Sequence, residues 1–82
     1  MEFVKEENAI LYKNEKEEIL AKIEFPFVGE NKVEITHTYV SDVLRGQGIA
    51  AKLMEAAMAE IKKNKWEMTA SCSYAQKWLE SN

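Results

Sequence analysis

The fold of this chain is decided by the stretch from Tyr39 to Leu53, which reads YVSDVLRGQGIAAKL. An alternating β-branched run, residues 33–40, enters the stretch, and an alanine- and leucine-rich run leaves it. Between them lies a turn that contains Gly46 and Gly48. A strand that leads through such a turn into a helix builds an anion site, because the first helical amides lack partners and the dipole adds positive charge. The pattern therefore predicts a phosphate or pyrophosphate ligand.

Two known phosphate loops can be compared with this turn. A P-loop requires Lys and then Ser or Thr after its last glycine, whereas an Ile-Ala pair follows Gly48. The spacing Gly46-x-Gly48-x-x-Ala51 does satisfy the dinucleotide fingerprint. That motif also needs a following strand that ends in a carboxylate, but the next strand candidate ends in MTASC, residues 68–72. Both loops are therefore disfavoured, and 82 residues are too few for two mononucleotide-binding halves.

Length and composition are those of a folded domain. The 82 residues, of which 46% are hydrophobic, are enough for one core, so we expect a single domain over residues 1–82. Eleven basic residues against fourteen acidic ones give a net charge of −3. This balance disfavours a nucleic-acid partner, which would select a basic face.

The cysteine count and the hydropathy pattern bear on location. The one cysteine, Cys72, cannot form an internal disulfide, so a cytoplasmic location is expected. Residues 1–7 do not resemble a signal peptide, and no apolar run approaches the ~18 residues of a membrane span. We therefore expect no membrane partner, and no set of residues has the spacing that would predict a metal site.

Hydrophobic periodicity divides the chain into five strands and two helices. Period-two alternation predicts strands, and an apolar stripe at helical spacing predicts the long helix. The predicted strands are Phe3–Glu6, Ala9–Lys13, Ile19–Phe25, Val33–Val40 and Trp66–Ala70. The predicted helices are a long one that begins at Ile49 and ends near residues 62–64, and a short one over Tyr74–Leu79.

These elements predict the fold class. Strands one to four follow one another through short turns, which favours antiparallel pairing. Only the long helix is a crossover connection, so strands four and five should be parallel neighbours. We therefore expect an α+β fold, with a single mixed, mostly antiparallel sheet, a crossover helix and a short C-terminal helix.

The turn resembles the acetyl-CoA loop of the GNAT superfamily of N-acetyltransferases, which is written Gln/Arg-x-x-Gly-x-Gly/Ala. Residues 45–50 (RGQGIA) match it at every specified position. Residues 72–78 (CSYAQKW) resemble a Cys-Ser-Tyr segment of the small single-module members, which also carry an Arg-Gly-x-Gly-x-Ala loop. The match covers residues 33–79, more than half the chain. It implies a minimal GNAT-like fold that transfers an acetyl group from acetyl-CoA to an amine acceptor.

The resemblance also implies which residues bind coenzyme A. The pantetheine arm is expected to pair with strand four, and a backbone N–H there is expected to bind the thioester oxygen. The amides of the turn are expected to hold the pyrophosphate, with Arg45 as a charged contact. The implied cofactor-binding residues are Thr38, Tyr39, Val40, Arg45, Gly46, Gln47, Gly48, Ile49 and Ala50.

Three side chains are candidates for the proton transfers of amine acetylation: His37, Cys72 and Tyr74. His37 is also explained as a packed or partly exposed strand residue, since it shares a predicted face with Val33 and Ile35. Cys72 is also explained as a small buried hydrophobe, although a helix start beside it favours a lowered thiol pKa. Tyr74 is also explained as a core aromatic.

Two functions of different classes remain open at this stage. The first is an N-acetyltransferase whose acceptor is a small amine, a protein lysine or a protein N-terminus. The second is a non-catalytic module that binds or senses acyl-CoA. For either one we expect a monomer or a weak dimer. Larger GNAT enzymes carry N-terminal helices around the acceptor site, and no such helices are predicted here, so the resemblance does not identify the acceptor.

Overall fold

The computed structural model describes residues 2–44 and 46–81, without the side chains of Glu2 and Ser81. The predicted charged contact from Arg45 lies outside the described residues. The described elements, in chain order, are β1 (Glu2–Glu6), β2 (Ala9–Lys13), β3 (Ile19–Glu24), β4 (Phe27–Gly29), β5 (Lys32–Ile35), β6 (His37–Val40), a 3₁₀ turn (Asp42–Leu44), α1 (Ile49–Lys63), β7 (Glu67–Ala70) and α2 (Ser73–Ser81).

The strands form two sheets. One has the order β1-β2-β3-β6, in which every neighbouring pair is antiparallel. The other has the order β4-β5-β7, in which β5 and β7 are parallel. The α+β class, the crossover helix, the C-terminal helix and the parallel pairing across the crossover are confirmed. The expectation of one continuous sheet is corrected to two.

The sheets divide at Thr36, inside the run predicted as one strand. The Thr36 N–H donates to the Glu24 carbonyl at 3.1 Å, and His37 pairs with Glu24 in the strand register. Two consecutive residues therefore oppose one, which is a β-bulge. A bulge reverses the alternation of side chains from that point on. The predicted shared face of Val33, Ile35 and His37 is therefore wrong.

Burial follows this reversal. Val33 and Ile35 have no exposed surface, whereas His37 is exposed and Tyr39 is 42% exposed. Thr38, which alternation places on the opposite face from His37, is half-buried. Burial of the histidine in the core, one of the two interpretations left open by the sequence, is thus excluded.

Helix α1 covers the inner face of the four-stranded sheet. Its apolar stripe, Ile49, Leu53, Met54, Ala57 and Ile61, is buried. These side chains form one cluster with buried residues of β2, β3 and β5 and of α2. Trp66, Met58 and Trp78 pack at its margin, as core packing from the sequence would predict. The core cluster thus packs α1 against strands of both sheets.

Candidate functional site: an open strand edge beside a glycine turn

Strand β6 has a free edge. Its other edge pairs with β3, and the Ser41 N–H that follows the strand donates to the Leu20 carbonyl at 2.7 Å. Because successive N–H groups of a strand point to opposite edges, the N–H of Val40, and likewise that of Thr38, faces away from β3. No strand pairs with this side of β6 within residues 2–44 and 46–81. The free edge therefore presents backbone donors to a ligand.

The glycine turn lies at the start of α1. Gly46 and Gly48 have φ of +82° and +70°, in the region that glycine adopts at little cost. A Cβ atom added to either glycine would meet no heavy atom within 4 Å, so both face open space. In the part of the chain that the structure describes, the N–H groups of Ala50 and Ala51 have no acceptor. The turn therefore has the donors and the clearance that an anion needs.

A short connection, in which Leu44 is buried, joins the two features. The Leu44 N–H donates to the Ser41 carbonyl at 3.0 Å, and the Gln47 N–H donates to the Leu44 carbonyl at 3.3 Å. The Leu44 side chain is 3% exposed and belongs to the core cluster. The connection is thus anchored in the core, and the end of β6 and the start of α1 are held close in space.

Cys72 follows β7, a strand of the three-stranded sheet, and its side chain contacts β6 of the four-stranded sheet. Its Sγ is 3.6 Å from the Thr38 hydroxyl, although the two residues are 34 positions apart. The Cys72 N–H donates to the Ile35 carbonyl at 3.2 Å, which ties the end of β7 to the end of β5. The thiol is therefore beside the free edge of β6, near the bulge.

The surroundings of Cys72 favour its thiolate. Burial opposes ionisation and is the largest single influence, but hydrogen bonds from the Ala75 N–H, the Thr38 hydroxyl and the N–H groups of Tyr74 and Thr38 together outweigh it. The pKa of the Cys72 thiol is therefore lowered. Two of these donors, the N–H groups of Tyr74 and Ala75, come from the start of α2. There, backbone N–H groups have no partner within the helix, and the helix dipole favours a negative charge.

The other two catalytic candidates lie differently. Tyr74 is 36% exposed on the first turn of α2, and partial burial raises the pKa of its hydroxyl. His37 is on the outer face of the four-stranded sheet, with Tyr39, because of the bulge. The structure thus brings Cys72 and Thr38 together, and it places His37 on the opposite face of the same strand.

Two polar residues of this region were not singled out in the sequence. Glu34 accepts a hydrogen bond from the Ser71 hydroxyl at 2.9 Å, and Glu24 pairs with His37 across the bulge. The sequence signal was the break in apolar alternation at residues 36–38 (THT), which is where the strand changes sheets. Without the pairing partner, that break cannot be separated from a solvent-exposed strand.

The described residues contain no group of three or more His, Cys, Asp or Glu side chains that could hold a metal ion. Nor does any described helix combine the length and the apolar character that crossing a membrane would take.

Comparisons with known proteins agree on one family. The profile of the GCN5-related N-acetyl-transferase family matches residues 9–82. The protein NATD1 of Xenopus tropicalis is 36% identical over 58 residues, which are 71% of this chain and 53% of that protein. The solution structure of a GCN5-like protein from Staphylococcus aureus has a TM-score of 0.80 at 38% identity, over 98% of this chain and 78% of the other. An acetyltransferase of the GNAT family from Staphylococcus aureus MU50 has a TM-score of 0.70 at 17% identity, over 90% and 49% of the two chains, and it shows likeness of fold alone.

The chain therefore belongs to the GCN5-related N-acetyltransferase family, and the family and fold predicted from the sequence are confirmed. The chain spans about half the length of the curated relatives it matches. The activity, substrates and partners of the whole protein are therefore proposals.

Proposed function

We propose that the protein is an acetyl-CoA-dependent N-acetyltransferase, which moves an acetyl group from the thioester of acetyl-CoA to an amine. The observation that carries this proposal is the free edge of β6 together with the glycine turn, whose amides are unpaired. Leu44 lies in the connection between them. Membership of the family supports acetyl-CoA as the donor. The chemistry that acetyl-CoA supplies is an activated acetyl group and a thiolate leaving group.

The chain's own groups have separate parts in binding. The N–H groups of Ala50 and Ala51, and the clearance at Gly48, suit the pyrophosphate. The outward N–H of Val40 suits the amide groups of the pantetheine arm, which extend the sheet as a further strand would. The outward N–H of Thr38, nearest the bulge, lies against the Cys72 sulfur in the free protein, and on binding it would turn to the thioester oxygen, where negative charge develops during attack.

Two proton transfers accompany amide formation. The attacking nitrogen must lose a proton, and we assign its acceptance to His37, on the outer face of β6. The departing thiolate must gain a proton, and we assign its donation to the Tyr74 hydroxyl or the Cys72 thiol. A two-step route is the alternative, in which the Cys72 thiolate takes the acetyl group and then passes it to the amine.

A non-catalytic acyl-CoA-binding module is the second candidate. It is favoured by the exposure of the outer face beside His37, since nothing in the described ranges encloses an acceptor there. Intact-mass measurement after incubation with acetyl-CoA discriminates the two functions. An acetyltransferase yields a slowly self-acetylated chain or acetylated acceptors, whereas a sensing module yields neither.

Thermal-shift measurement with acetyl-CoA, CoA, NAD and ATP tests the proposal. A ligand that binds only the folded state stabilises it by RT ln(1 + [L]/Kd), which is about 2.7 kcal/mol at 100 times Kd. We expect acetyl-CoA and CoA to raise the melting temperature and NAD to leave it unchanged. Stabilisation by NAD alone would restore the dinucleotide interpretation and overturn the proposal.

A further inference from the structure

Cys72 is the N-cap residue of helix α2. Its carbonyl accepts the first helical hydrogen bond, from the Gln76 N–H at 3.0 Å. Its sulfur accepts hydrogen bonds from the N–H groups of Tyr74 and Ala75, the second and third residues of the helix. These are the donors that an N-cap side chain satisfies, and Ser, Thr, Asp and Asn are the usual residues there. The thiol therefore lies in the place of a capping oxygen, and its surroundings depend on how firmly the first turn of α2 is held.

Two residues of β5 hold the segment that precedes the helix. The N–H groups of Ser71 and Cys72 both donate to the Ile35 carbonyl, at 3.1 Å and 3.2 Å. The Ser71 hydroxyl donates to the Glu34 carboxylate at 2.9 Å. These bonds fix the backbone of Cys72 relative to β5, but none of them reaches the helix that supplies N–H groups to the sulfur. The first turn of α2 is therefore held by other contacts.

The Gln76 side chain makes one of these contacts. Its Nε2 donates to the Ala70 carbonyl at 2.9 Å. The N–H groups of Glu67 and Ser71 face β5, so alternation directs the Ala70 carbonyl to the other edge of β7. That edge has no strand partner within residues 2–44 and 46–81. The hydrogen bond thus closes a ring between the end of β7 and the first turn of α2, and Cys72 lies within this ring.

The first turn of α2 is also attached to the core. Ala75 has no exposed surface and belongs to the core cluster, whereas its neighbour Gln76 is exposed. One small buried side chain sets the depth of the turn, and a second point of attachment is needed to set its direction. Because an exposed side chain gains little from apolar burial, the hydrogen bond to Ala70 is the contribution of Gln76.

We infer that Gln76 is a positioning residue for Cys72: by tying the first turn of α2 to the end of β7, it keeps the helix N–H groups directed at the sulfur beside the free edge of β6. This inference rests on the proposed function, because it concerns the thiol that takes part in acetyl transfer there. The Gln76 amide acts on the Ala70 carbonyl and not on the reacting atoms.

Loss of this hydrogen bond should change the chemistry in one direction. The first turn of α2 is then free to move away from the thiol, which weakens N–H donation to the sulfur. Burial opposes ionisation with fewer donors against it, so the pKa of the Cys72 thiol rises. The groups proposed to bind CoA lie on β6 and at the glycine turn, so CoA affinity should not change.

The test uses the full chain with two substitutions of Gln76 and one control. Gln76→Met keeps the length and helix propensity of the side chain and has no donor, whereas Gln76→Lys keeps a donor of similar reach. The control Glu80→Met places the same side chain at an exposed position one turn later on α2. Iodoacetamide alkylation over a range of pH reports on Cys72 alone, because it is the one cysteine of the chain. Calorimetry gives CoA affinity, and chromatography gives the rate of CoA release from acetyl-CoA by hydrolysis or self-acetylation.

The expected effects separate positioning from binding. We expect Gln76→Met to move half-maximal alkylation to higher pH and to slow CoA release about three- to tenfold, as loss of one hydrogen bond implies, with parent-like CoA affinity. Gln76→Lys should restore the rate and return half-maximal alkylation to the parent pH or below it, since a positive charge also favours a thiolate. Glu80→Met should match the parent in all three measurements.

A purely structural Gln76 gives a different result. Gln76→Met would then lower the melting temperature and leave the alkylation profile and the rate per folded molecule unchanged, which would overturn the inference. Parent-like CoA release by Cys72→Ala would overturn it too, because no reacting thiol would need positioning. Failure of the parent chain to bind CoA would instead overturn the proposed function, and the alkylation profile, which needs no CoA, would still decide whether Gln76 positions the thiol.

Discussion

Strands β5 and β6 are separated only by Thr36, and the chain uses them in opposite ways. β5 lies between β4 and β7, so both of its edges are hydrogen-bonded, and Val33 and Ile35 are fully buried. β6 pairs with β3 alone and alternates between a half-buried face and an exposed one. The difference shows how one bulge turns the continuation of a core strand into an edge strand with one unpaired side. An open edge normally invites aggregation, and this one is short, with four residues.

Proline substitutions should show the largest difference between β5 and β6. The Glu34 N–H donates to the Pro26 carbonyl at 2.9 Å, so Glu34→Pro removes a bond on a strand that is paired on both sides. We expect it to unfold the chain, because a strand that is paired on both sides has no place for a residue without an N–H. The outward N–H of Val40 is not needed for pairing with β3, so Val40→Pro should stay folded and lose CoA binding. Circular dichroism and calorimetry check both; parent-like CoA affinity in folded Val40→Pro would show that the edge is unused.

The glycine turn should give the next largest effect. Gly48→Val adds a β-branched side chain at φ +70°, directed into the open space that the pyrophosphate needs. Loss of one or two charged hydrogen bonds, at about 1.5–3 kcal/mol each, corresponds to roughly 10- to 20,000-fold weaker CoA binding. Gly29→Val is the matched control, because its Cβ would meet only Lys32 at an ordinary 3.5 Å. Equal CoA affinity for both variants would contradict the assignment of the turn.

Removal of the thiol should affect chemistry more than binding. Cys72→Ala is expected to keep CoA affinity and to slow acetyl transfer more than tenfold, which is about 1.4 kcal/mol of barrier. A purely structural Cys72 would instead lower the free energy of unfolding by about 1 kcal/mol and leave the rate per folded molecule unchanged. Peptide mapping after an acid quench detects acetyl-Cys72 if the two-step route operates. Its absence leaves direct attack with Cys72 as an acid.

The two remaining candidates should give smaller effects. His37→Ala and Tyr74→Phe are both expected to slow turnover with little change in CoA affinity. We expect about fivefold for each, below the roughly 100-fold typical of acid–base catalysis, because solvent reaches both side chains. An unchanged turnover rate in His37→Ala would remove the histidine from the mechanism and make water the proton acceptor.

The smallest expected effect concerns thiol ionisation at the free edge. The Thr38 hydroxyl is among the donors that lower the pKa of Cys72 against the opposing influence of burial. Thr38→Val removes this donor, so the pKa must rise and the thiolate fraction at neutral pH must fall. Iodoacetamide alkylation should then reach half its maximal rate at a higher pH than in the parent, while the control Thr69→Val should not shift. A downward shift would contradict the arrangement at β6.

Local pattern was enough to predict much of the fold. The bounds of β2 were predicted as Ala9–Lys13, and α1 begins at Ile49 as expected, because helical periodicity follows directly on Gly48. Strand β4, Phe27–Gly29, was not predicted from the sequence, because the flanking Pro26 and the terminal Gly29 are residue types typical of turns. The proline lies just before this strand, at the edge of its sheet, where a missing N–H is tolerated.

The site was less predictable than the fold. Alternation of apolar residues cannot reveal one extra residue at Thr36, because only the pairing with Glu24 shows that two residues oppose one. The contact between Cys72 and Thr38 joins positions 34 apart and depends on how the two sheets divide. The turn glycines were identifiable because φ above zero restricts the residue type, whereas strand polar residues carry no such restriction.

Amide hydrogen exchange with and without CoA tests the central claim most directly. In the free protein, the N–H groups of Tyr39 and Ser41 face β3 and should be protected, and that of Thr38 is held by the Cys72 sulfur, while that of Val40 should exchange faster. Saturating CoA should slow exchange at Val40 and at the amides of the glycine turn, and leave β5 unchanged. Unaltered exchange at Val40 in the CoA complex would contradict the use of this edge as the acyl-CoA site.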